Sequence, residues 1–347
     1  MRIGSAKQSY AADEALLTST VQRLWMLAAF VALAAFPLFV GDYWLLIGCL
    51  IAINVIAATG LMVLTGFTGQ VSLGHAAFMG VGAYATAWFA NELALPFFVT
   101  IPLGGFVAAA VGAVFGIPSL RVKGLYLALT TIAASFILHF VFFNWSSVTG
   151  GAVGLKIQPA TLLGRQLMGY ADIYYLAVPI ASLAVWCAAN LFRTRVGRAF
   201  IAIRDRDISA EVLGIPLFKY KLLSFAIASF YAGVAGGVWL YLFRVVTPES
   251  FRLVDSIFFV AAIIVGGMSS IRGAIFGAAF MTLVPELLKI SVAALEPFYP
   301  GVVQMLSPVR TIVFGVLIVG FLMFEPLGLN EIWRRVRRRF ELWPFRT

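Results

Sequence analysis

Long apolar segments follow one another along this chain with only short polar connections between them. Ten of them can be delimited, at residues 24–40, 43–65, 70–90, 97–117, 124–143, 173–192, 222–243, 256–268, 274–290 and 308–324. A membrane-spanning helix needs about 20 mostly apolar residues, so these segments predict an all-α integral membrane protein with about ten transmembrane helices. The composition agrees, because 12% of the residues are charged whereas soluble domains carry about 25%.

The first apolar segment is expected to stay in the mature chain as a membrane span. At 24–40 it is longer than the apolar core of a signal peptide, which has about 7–15 residues, and a second apolar segment follows almost at once. We therefore expect residues 1–23 to be a cytoplasmic N-terminal segment, residues 24–324 a polytopic transmembrane domain and residues 325–347 a basic cytoplasmic tail.

At least one membrane segment is expected to be broken or re-entrant. Segments 256–268 and 274–290 are short for a spanning helix, and Gly266, Gly267 and Gly273 surround their junction. Non-helical backbone at membrane depth is tolerated where protein covers it or where it lines a water-filled cavity. Tilting, a break and a re-entrant pair all remain open at this junction.

Basic residues predict how the chain is oriented in the membrane. With ten spans, the connections that are rich in Lys and Arg all fall on one side. They comprise Arg2, Lys7, Arg23, Arg121, Lys123, the loop 193–221, Arg272 and the tail 325–347. Because such loops stay in the cytoplasm, both termini are predicted to be cytoplasmic in a multi-pass membrane protein. This placement explains the net charge of +10 without nucleic acid, and we expect the tail to attract anionic membrane lipids.

A glycine-rich string, GFTGQVSLGHAAFMGVGAY, occupies residues 66–84 at the edge of an apolar segment. Glycine permits both close helix packing and local unwinding that turns backbone groups toward a cavity. The string therefore predicts a broken helix that lines a path through the membrane. The other interpretation is tight helix packing with hydrogen-bonded polar groups. For His75, both interpretations stay open. The candidate lining residues are Gly66, Gly69, Gln70, Ser72, Gly74, His75, Gly80 and Gly82.

The loop 193–221 contains a pattern typical of an amphipathic helix. From 197 to 213, apolar residues recur at roughly helical spacing; they are Phe200, Ile203, Ile208, Val212 and Leu213. Arg204 and Asp207 stand three apart and could pair across one turn, and Gly214 is a helix stop. On the residues alone, this helix is solvated or lies at the membrane surface.

Five strings of the sequence together resemble those of a known family. They are GFTGQVSLGHAAFMGVGAY at 66–84, PSLRVKGLYLALTT at 118–131, TGGAVGL at 149–155, RAFIAIRD at 198–205 and GGMSSIRG at 266–273. The chain resembles, over about residues 54–330, the permeases of branched-chain amino acid ABC importers, in particular the larger of their two permease subunits (LivM). The stretch 268–270 departs slightly from the family's usual glycine-serine pair.

The resemblance implies a permease subunit of a binding-protein-dependent importer for branched-chain amino acids or related small solutes such as urea and amides. It implies that this multi-pass subunit lies in the bacterial inner membrane. It also implies a second, different permease subunit, two cytoplasmic ATP-binding subunits that carry ATP-Mg, and an extracytoplasmic solute-binding protein. The loop 149–155 lies where that protein would dock, and is otherwise simply a loop. The loop that docks on the ATPases is expected to use Arg198, Ile203, Arg204, Asp205, Asp207, Glu211 and Gly214.

What the sequence lacks excludes other classes of protein. There is no G-x-x-x-x-G-K-[ST] motif for ATP. The two His and two Cys residues are not clustered as metal ligands would be, and no nucleophile–base set can be identified, so neither an enzyme nor a cofactor is expected in this chain. The alternative is a self-sufficient secondary transporter or channel coupled to an ion gradient, although acidic residues are scarce in the spans. Glu286, near a span end, is expected either to pair with Lys289 or to snorkel toward the membrane interface.

Overall fold

The computed structural model describes residues 20–119, 122, 124–162, 164–268, 270–295, 306–325 and 327–342. Most of these residues are helical. The helices are α1 Thr20–Phe39, α2 Asp42–Leu61, α3 His75–Glu92, α4 Phe97–Ser119, α5 Leu125–Asn144, α6 Ser146–Thr149, α7 Tyr170–Leu191, α8 Arg195–Asp205, α9 Asp207–Val212, α10 Leu217–Phe243, α11 Leu253–Gly266, α12 Ile271–Leu295, α13 Leu306–Phe324 and α14 Leu329–Leu342. The N-terminal residues 1–19, Arg121, Lys123, Ser269 and Arg346, which carried parts of the predictions above, lie outside the described residues.

Each of the ten predicted apolar segments coincides with a helix, which confirms an all-α membrane protein. Six stretches of helix are long and apolar enough to cross a membrane. They are Asp42–Phe67, Phe97–Pro118, Tyr126–Asn144, Tyr170–Leu191, Leu217–Phe243 and Ile271–Ala294. Among the described residues, α1 and α13 supply the shorter apolar stretches Leu24–Phe39 and Ile312–Phe321.

Helices α3, α4 and α10 form the centre of the bundle and meet through glycine. A Cβ added to Gly82 of α3 would overlap Gly233 of α10, and one added to Gly236 would overlap the carbonyl group of Met79. In lipid, helices gain little from apolar burial against each other, so close van der Waals packing of small residues holds them together. These glycines therefore set the spacing of the three central helices.

The predicted segments 256–268 and 274–290 correspond to α11 and α12, which form an antiparallel helical hairpin. Gly266 of α11 lies against the carbonyl group of Gly273 in α12, while Gly277 lies against that of Ala262. Helix α11 has 14 residues, a length of about 21 Å at 1.5 Å per residue, which is less than the ~30 Å of a bilayer core. The sequence prediction of a short element at this junction is confirmed for α11. It is wrong for segment 274–290, because α12 has 25 residues and is long enough to cross a membrane.

Two loop regions lie at opposite ends of the bundle. The end that holds α8, α9 and α14 is called the basic end. At the opposite end, strand β1 Leu155–Lys156 pairs antiparallel with β4 Val245–Val246, and β2 Thr161–Leu162 pairs with β3 Arg165–Gln166. These four strands form a small cap together with the short helical turns Gly151–Val153 and Pro248–Phe251.

The loop 193–221 departs from its prediction. The single helix expected over 197–213 is wrong, because the chain is extended at Arg206 and two helices, α8 and α9, lie on either side of it. The expected pair between Arg204 and Asp207 is also wrong. Arg204 contacts Asp205 at 3.0 Å, whereas Asp207 contacts Lys221 at 3.6 Å; the break turns the two side chains to different neighbours.

The predicted ion pair near the end of α12 is present. Lys289 Nζ lies 3.9 Å from Glu286 Oε2, and the hydroxyl group of Tyr43 at the start of α2 donates a hydrogen bond to the same carboxylate. The Lys289 ammonium group also lies 5.2 Å from the centre of the Tyr43 ring. These three side chains join α2 to α12.

Candidate functional site

The glycine-rich string interrupts the helical path through the bundle. α2 continues into a π-helical turn at Met62–Phe67, the chain is irregular from 69 to 74, and α3 begins at His75. The predicted apolar segment 70–90 is thus wrong at its start. We call residues 69–74 the glycine-rich break. Gly69 ends the preceding turn with φ +73°, a left-handed conformation that glycine adopts without the steric cost of a Cβ.

Hydrogen bonds within the segment close the turn before the break. The backbone N–H of Gln70 donates to the carbonyl oxygen of Leu64 at 3.1 Å. The hydroxyl group of Thr65 donates to the carbonyl oxygen of Gln70, and that of Thr68 donates to Val63, each at 3.0 Å. Backbone polar groups at membrane depth must be paired inside the protein, so these bonds stabilise non-helical backbone at this position.

Neighbouring helices supply the remaining partners of the break. Three hydrogen bonds do this: Gln70 Nε2 to Ser224 Oγ of α10 at 2.8 Å, Leu73 N to Thr131 Oγ1 of α5 at 2.9 Å, and Ala76 N to Ser256 Oγ of α11 at 3.0 Å. The last of them caps the first turn of α3 from another helix. The break is therefore fixed by helices α5, α10 and α11 together.

His75 is fully enclosed at the start of α3. Its Nε2 lies 2.9 Å from the carbonyl oxygen of Ala57 in α2, to which a protonated Nε2 donates, and its ring meets the edge of Phe259 in α11. Ser72 is buried nearby, where its hydroxyl oxygen accepts from the backbone of Gly74 at 3.4 Å. The sequence left two interpretations of His75 open, a hydrogen-bonded packing residue and a residue that lines the path. In this structure His75 is packed and hydrogen-bonded.

Most candidate glycines lie in tight contacts between elements. A Cβ added to Gly66 would overlap the carbonyl oxygen of Met268, one added to Gly74 would lie 2.5 Å from that of Thr131, and one added to Gly80 would lie 2.8 Å from the Phe142 ring. Gly82 packs on α10 as described above. Of the candidate lining residues, Gly69 and Gln70 border the polar cavity described next.

A polar cavity of about 230 Å³ lies beside the break at the basic end. It brings together residues of both predicted sets, those of the path and those of the docking loop. Its walls are Thr68, Gly69, Gln70, Val122, Gly124, Leu127, Ile203, Arg204, Asp205, Arg206, Asp207 and Lys221. The cavity therefore lies where the glycine-rich break meets the turn between α8 and α9.

The loop 193–221, called the docking loop after its predicted role, has one half that faces the bundle and one half that is exposed. In α8, Phe200 and Ile203 are buried against the bundle. In α9 and just after it, the exposed fractions are 71% for Ile208, 83% for Val212 and 80% for Leu213. The loop thus presents apolar side chains outward from the basic end.

The other predicted docking residues are distributed along this loop. Arg198 donates to the carbonyl oxygen of Arg193 at 3.0 Å. Glu211 is exposed on α9, and its carbonyl oxygen accepts from the backbone of Gly214 at 2.9 Å. Gly214 has φ +85° and ends α9, which confirms the predicted helix stop. Asp205 is exposed next to Arg204.

The sequence analysis missed the side chains that hold the break. Thr131, Ser224 and Ser256 are all buried and lie in three different helices. Their only signal in the sequence is a small hydroxyl residue within an apolar segment. Such residues also bond to their own helix, as Thr131 does with Ala128 at 2.8 Å, so the type alone does not indicate a partner.

A larger cavity of about 670 Å³ lies between α4, α7 and α10. Its walls are nearly all apolar and include Phe97, Ile101, Pro179 and Phe230. The charged residues of its lining are Arg165 and Asp172, which pair at 3.3 Å. A polar solute would find few partners on such walls, so the polar cavity beside the break is the better candidate for the path.

The fold and the site define a class of protein. A bundle of apolar helices, interrupted by buried non-helical backbone and carrying exposed apolar side chains on a loop at its basic end, is a multi-pass membrane protein. The chain belongs to the family described as branched-chain amino acid transport system / permease component, whose model matches residues 43–322. This confirms the predicted family and transport function and disfavours the self-sufficient secondary transporter.

Curated relatives include both kinds of permease protein of such systems. The chain is 31% identical to the high-affinity branched-chain amino acid transport system permease protein LivM of Escherichia coli, over 78% of this chain and 70% of the relative. It is 25% identical to a probable LivH of Methanocaldococcus jannaschii, over 86% of this chain and 96% of the relative. The LivH of E. coli is also 25% identical, over 71% of this chain and 84% of that protein. No solved structure matches the chain significantly.

Proposed function

We propose that this chain is one of two permease subunits in an ATP-driven importer of branched-chain amino acids. It spans the inner membrane ten times with both termini in the cytoplasm. It has no nucleotide site of its own, and two cytoplasmic subunits bind and hydrolyse ATP-Mg. The substrate class follows the names of its relatives, which are branched-chain amino acid transport proteins.

The positions of the loops support ten crossings. With that number, the connections before α3, between α7 and α10 and between α11 and α12 fall on one side. At the basic end, Gly69 lies against Arg204, and Gly66 lies against Met268. The connections at the opposite end also meet, since Arg244 donates to the carbonyl oxygen of Met168 at 2.7 Å. By the positive-inside rule, the basic end is cytoplasmic.

The exposed apolar side chains of α9 are the observation that carries the proposal. Ile208, Val212 and Leu213 project from a loop that lies beyond the apolar spans, at the end richest in basic residues. An exposed apolar cluster with a polar surround is typical of a protein–protein contact. The short loop joins α7 to α10, so a movement of a subunit docked there reaches both helices.

The path itself is proposed to run along the glycine-rich break. Its lining would come from Gly66, Gly69, Gln70, Ser72, Gly74, His75, Gly80 and Gly82 once the packed helices separate. Small and uncharged polar residues suit a carrier that must release its solute, because weak contacts allow it to leave. The packed arrangement of these residues is then that of a closed path.

The remaining partners are proposed from the relatives and from the two ends of the bundle. E. coli has both a LivM and a LivH permease protein, and this chain is similar to each, which favours a heterodimer of permeases. A solute-binding protein would dock on the cap formed by 149–155 and the β1–β4 pair. Helix α14 carries exposed Arg334 and Arg335 beside exposed Trp333, a pattern that suits an anionic lipid surface.

Reconstitution tests this function directly. The chain is placed in proteoliposomes with its partner permease and ATPases, and uptake of labelled leucine is measured with and without ATP and binding protein. Uptake that requires both ATP and the binding protein is expected. Uptake by this chain alone, driven by an ion gradient, would contradict the proposal. ATP-dependent uptake of urea or an amide instead of leucine would retain the mechanism and correct the substrate.

A further inference from the structure

Arg204 reaches from the docking loop into the glycine-rich segment. Its Nη1 donates to the carbonyl oxygen of Gly66 at 3.1 Å, across 138 residues of sequence. Its Cγ would lie 3.2 Å from a Cβ added to Gly69. The absence of a side chain at Gly69 therefore lets the stem of Arg204 lie directly on the turn that begins the break.

The same guanidinium group is fixed on the loop side. Its Nε donates to Asp205 Oδ1 at 3.0 Å, and Nη2 lies at 3.0 Å from the same oxygen. A guanidinium group can bond a carboxylate and a carbonyl oxygen at once because its donors point in fixed directions, which a lysine cannot reproduce. Arg204 thus joins two elements through one rigid group.

A second connection runs from α9 to the break. Asp207 at the start of α9 pairs with Lys221 of α10 at 3.6 Å. One turn further along α10, Ser224 accepts from Gln70 at 2.8 Å, and the carbonyl oxygen of Lys221 lies 3.4 Å from the same amide nitrogen. The docking loop therefore contacts the break directly through Arg204 and indirectly through α10, with the polar cavity between the two connections.

The closed arrangement leaves the side-chain oxygen of Gln70 without a partner. Gln70 is 4% exposed, and its Oε1 has no hydrogen bond among the described residues. A buried carbonyl oxygen without a donor is unfavourable. The free energy of this group therefore falls if the break moves and exposes Gln70 to water or to a solute's ammonium group. Something must hold the segment in place against this tendency.

We propose that Arg204 is a positioning residue that holds the cytoplasmic mouth of the path closed and releases it when the docking loop is displaced. This rests on the proposed function, since the displacement comes from the ATPases. Arg204 would then hold the glycine-rich break, while Ile208, Val212 and Leu213 bind the ATPase subunit. The two roles are separate, and so mutations of the two groups have different consequences.

Accessibility of the cavity tests the contact without any transport. Thr68 lines the cavity and is buried, so Thr68→Cys in a Cys187→Ser background reports its opening. The assembled importer in inverted membrane vesicles is treated with a membrane-impermeant maleimide in the absence of ATP. Arg204→Ala should speed labelling of Thr68→Cys, whereas Arg195→Ala, which removes the same charge from an exposed position of α8, should not.

The ratio of leucine imported to ATP hydrolysed tests the consequence. Loss of one charge-assisted hydrogen bond is expected to lower this ratio about tenfold, equivalent to about 1.4 kcal/mol, while ATP hydrolysis continues. Arg204→Lys should restore part of the ratio, and it carries the test if Arg204→Ala does not assemble. Parallel loss of hydrolysis and uptake with unchanged labelling would overturn the proposal, as would unchanged labelling and an unchanged ratio.

The outcomes also separate this inference from the proposed function. If the wild-type importer shows no ATP-dependent uptake but Arg204→Ala still speeds labelling, the proposed function fails and the contact stands. If wild-type uptake depends on ATP and Arg204→Ala changes neither readout, the importer stands and the inference is wrong.

Discussion

The hydroxyl group of Tyr174 in α7 lies 3.1 Å from the carbonyl oxygen of Leu33 in α1 and donates to it. That oxygen is the one that the N–H of residue 37 would bond in a regular helix, but residue 37 is proline. The next residue, Tyr175, donates to Ala34 at 3.0 Å. Two tyrosines of α7 thus satisfy carbonyl groups at the proline site of α1, where lipid could offer no hydrogen bond.

We predict that Tyr174→Phe destabilises the contact between α1 and α7. The substitution keeps the ring stacked on Phe36 and removes only the hydroxyl group, so the cost should be roughly 0.5–2 kcal/mol, the range for hydrogen bonds between membrane helices. Thermal unfolding in detergent measures it. Tyr170→Phe, at an exposed position of the same helix, is the control. Equal stability of both variants would contradict the role assigned to Leu33.

Glycine packing in the central helices gives a second prediction. Gly82→Ala should destabilise the bundle by about 1–3 kcal/mol, as expected for an added methyl group in a full core, because its Cβ would overlap Gly233. Gly320→Ala in α13 adds the same methyl group where nothing lies within 4 Å. The melting temperatures of the two variants decide the matter. Because Ala favours a helix more than Gly does, Gly320→Ala should be neutral or slightly stabilising, and a loss as large as that of Gly82→Ala would contradict the role assigned to close packing at Gly82.

Most of the helices could be predicted from the sequence, because a long run of apolar residues has few other stable forms in a membrane. The glycine-rich break shows what could not. Val71 and Leu73 are apolar, so hydropathy includes them in the span 70–90, although the helix begins only at His75. The backbone is released from the helix by partners such as Thr131 and Ser256, which are distant in sequence, and hydropathy carries no information about them.

The docking loop illustrates a second limit of sequence analysis. Phe200, Ile203, Ile208 and Val212 fit one helical stripe, yet the first two are buried and the last two are exposed. Periodicity shows that residues share a face only while the helix is continuous, and the extended Arg206 ends that continuity. The half that faces the bundle is α8, which packs on α10 through Phe200 and Tyr220 and on the glycine-rich segment through Arg204; periodicity reveals none of these contacts.

The hydrogen bond between Leu73 and Thr131 gives a third prediction. Thr131→Val keeps the shape of the side chain and removes the acceptor of the Leu73 N–H, which leaves a partly buried donor unpaired at a cost of about 1 kcal/mol. We expect lower thermal stability together with reduced ATP-dependent uptake, because the break loses its connection to α5. Ser291→Ala is the control, since it removes a hydroxyl group that bonds to Leu287 of its own helix at 2.8 Å. Full uptake by Thr131→Val would show that this bond does not position the break.

The exposed apolar side chains of α9 give the last prediction. Val212→Ala and Leu213→Ala should each weaken binding of the ATPase subunits by about 1 kcal/mol or more, roughly five- to tenfold, because apolar area that a partner would cover is removed. Titration of the purified permease pair with ATPase measures the affinity. Val316→Ala, equally apolar and exposed but on α13, should bind ATPase as the wild type does. If instead the α9 variants bind ATPase normally and lose attachment to lipid vesicles, α9 lies on the membrane surface, and the docking contact must be sought elsewhere at the basic end.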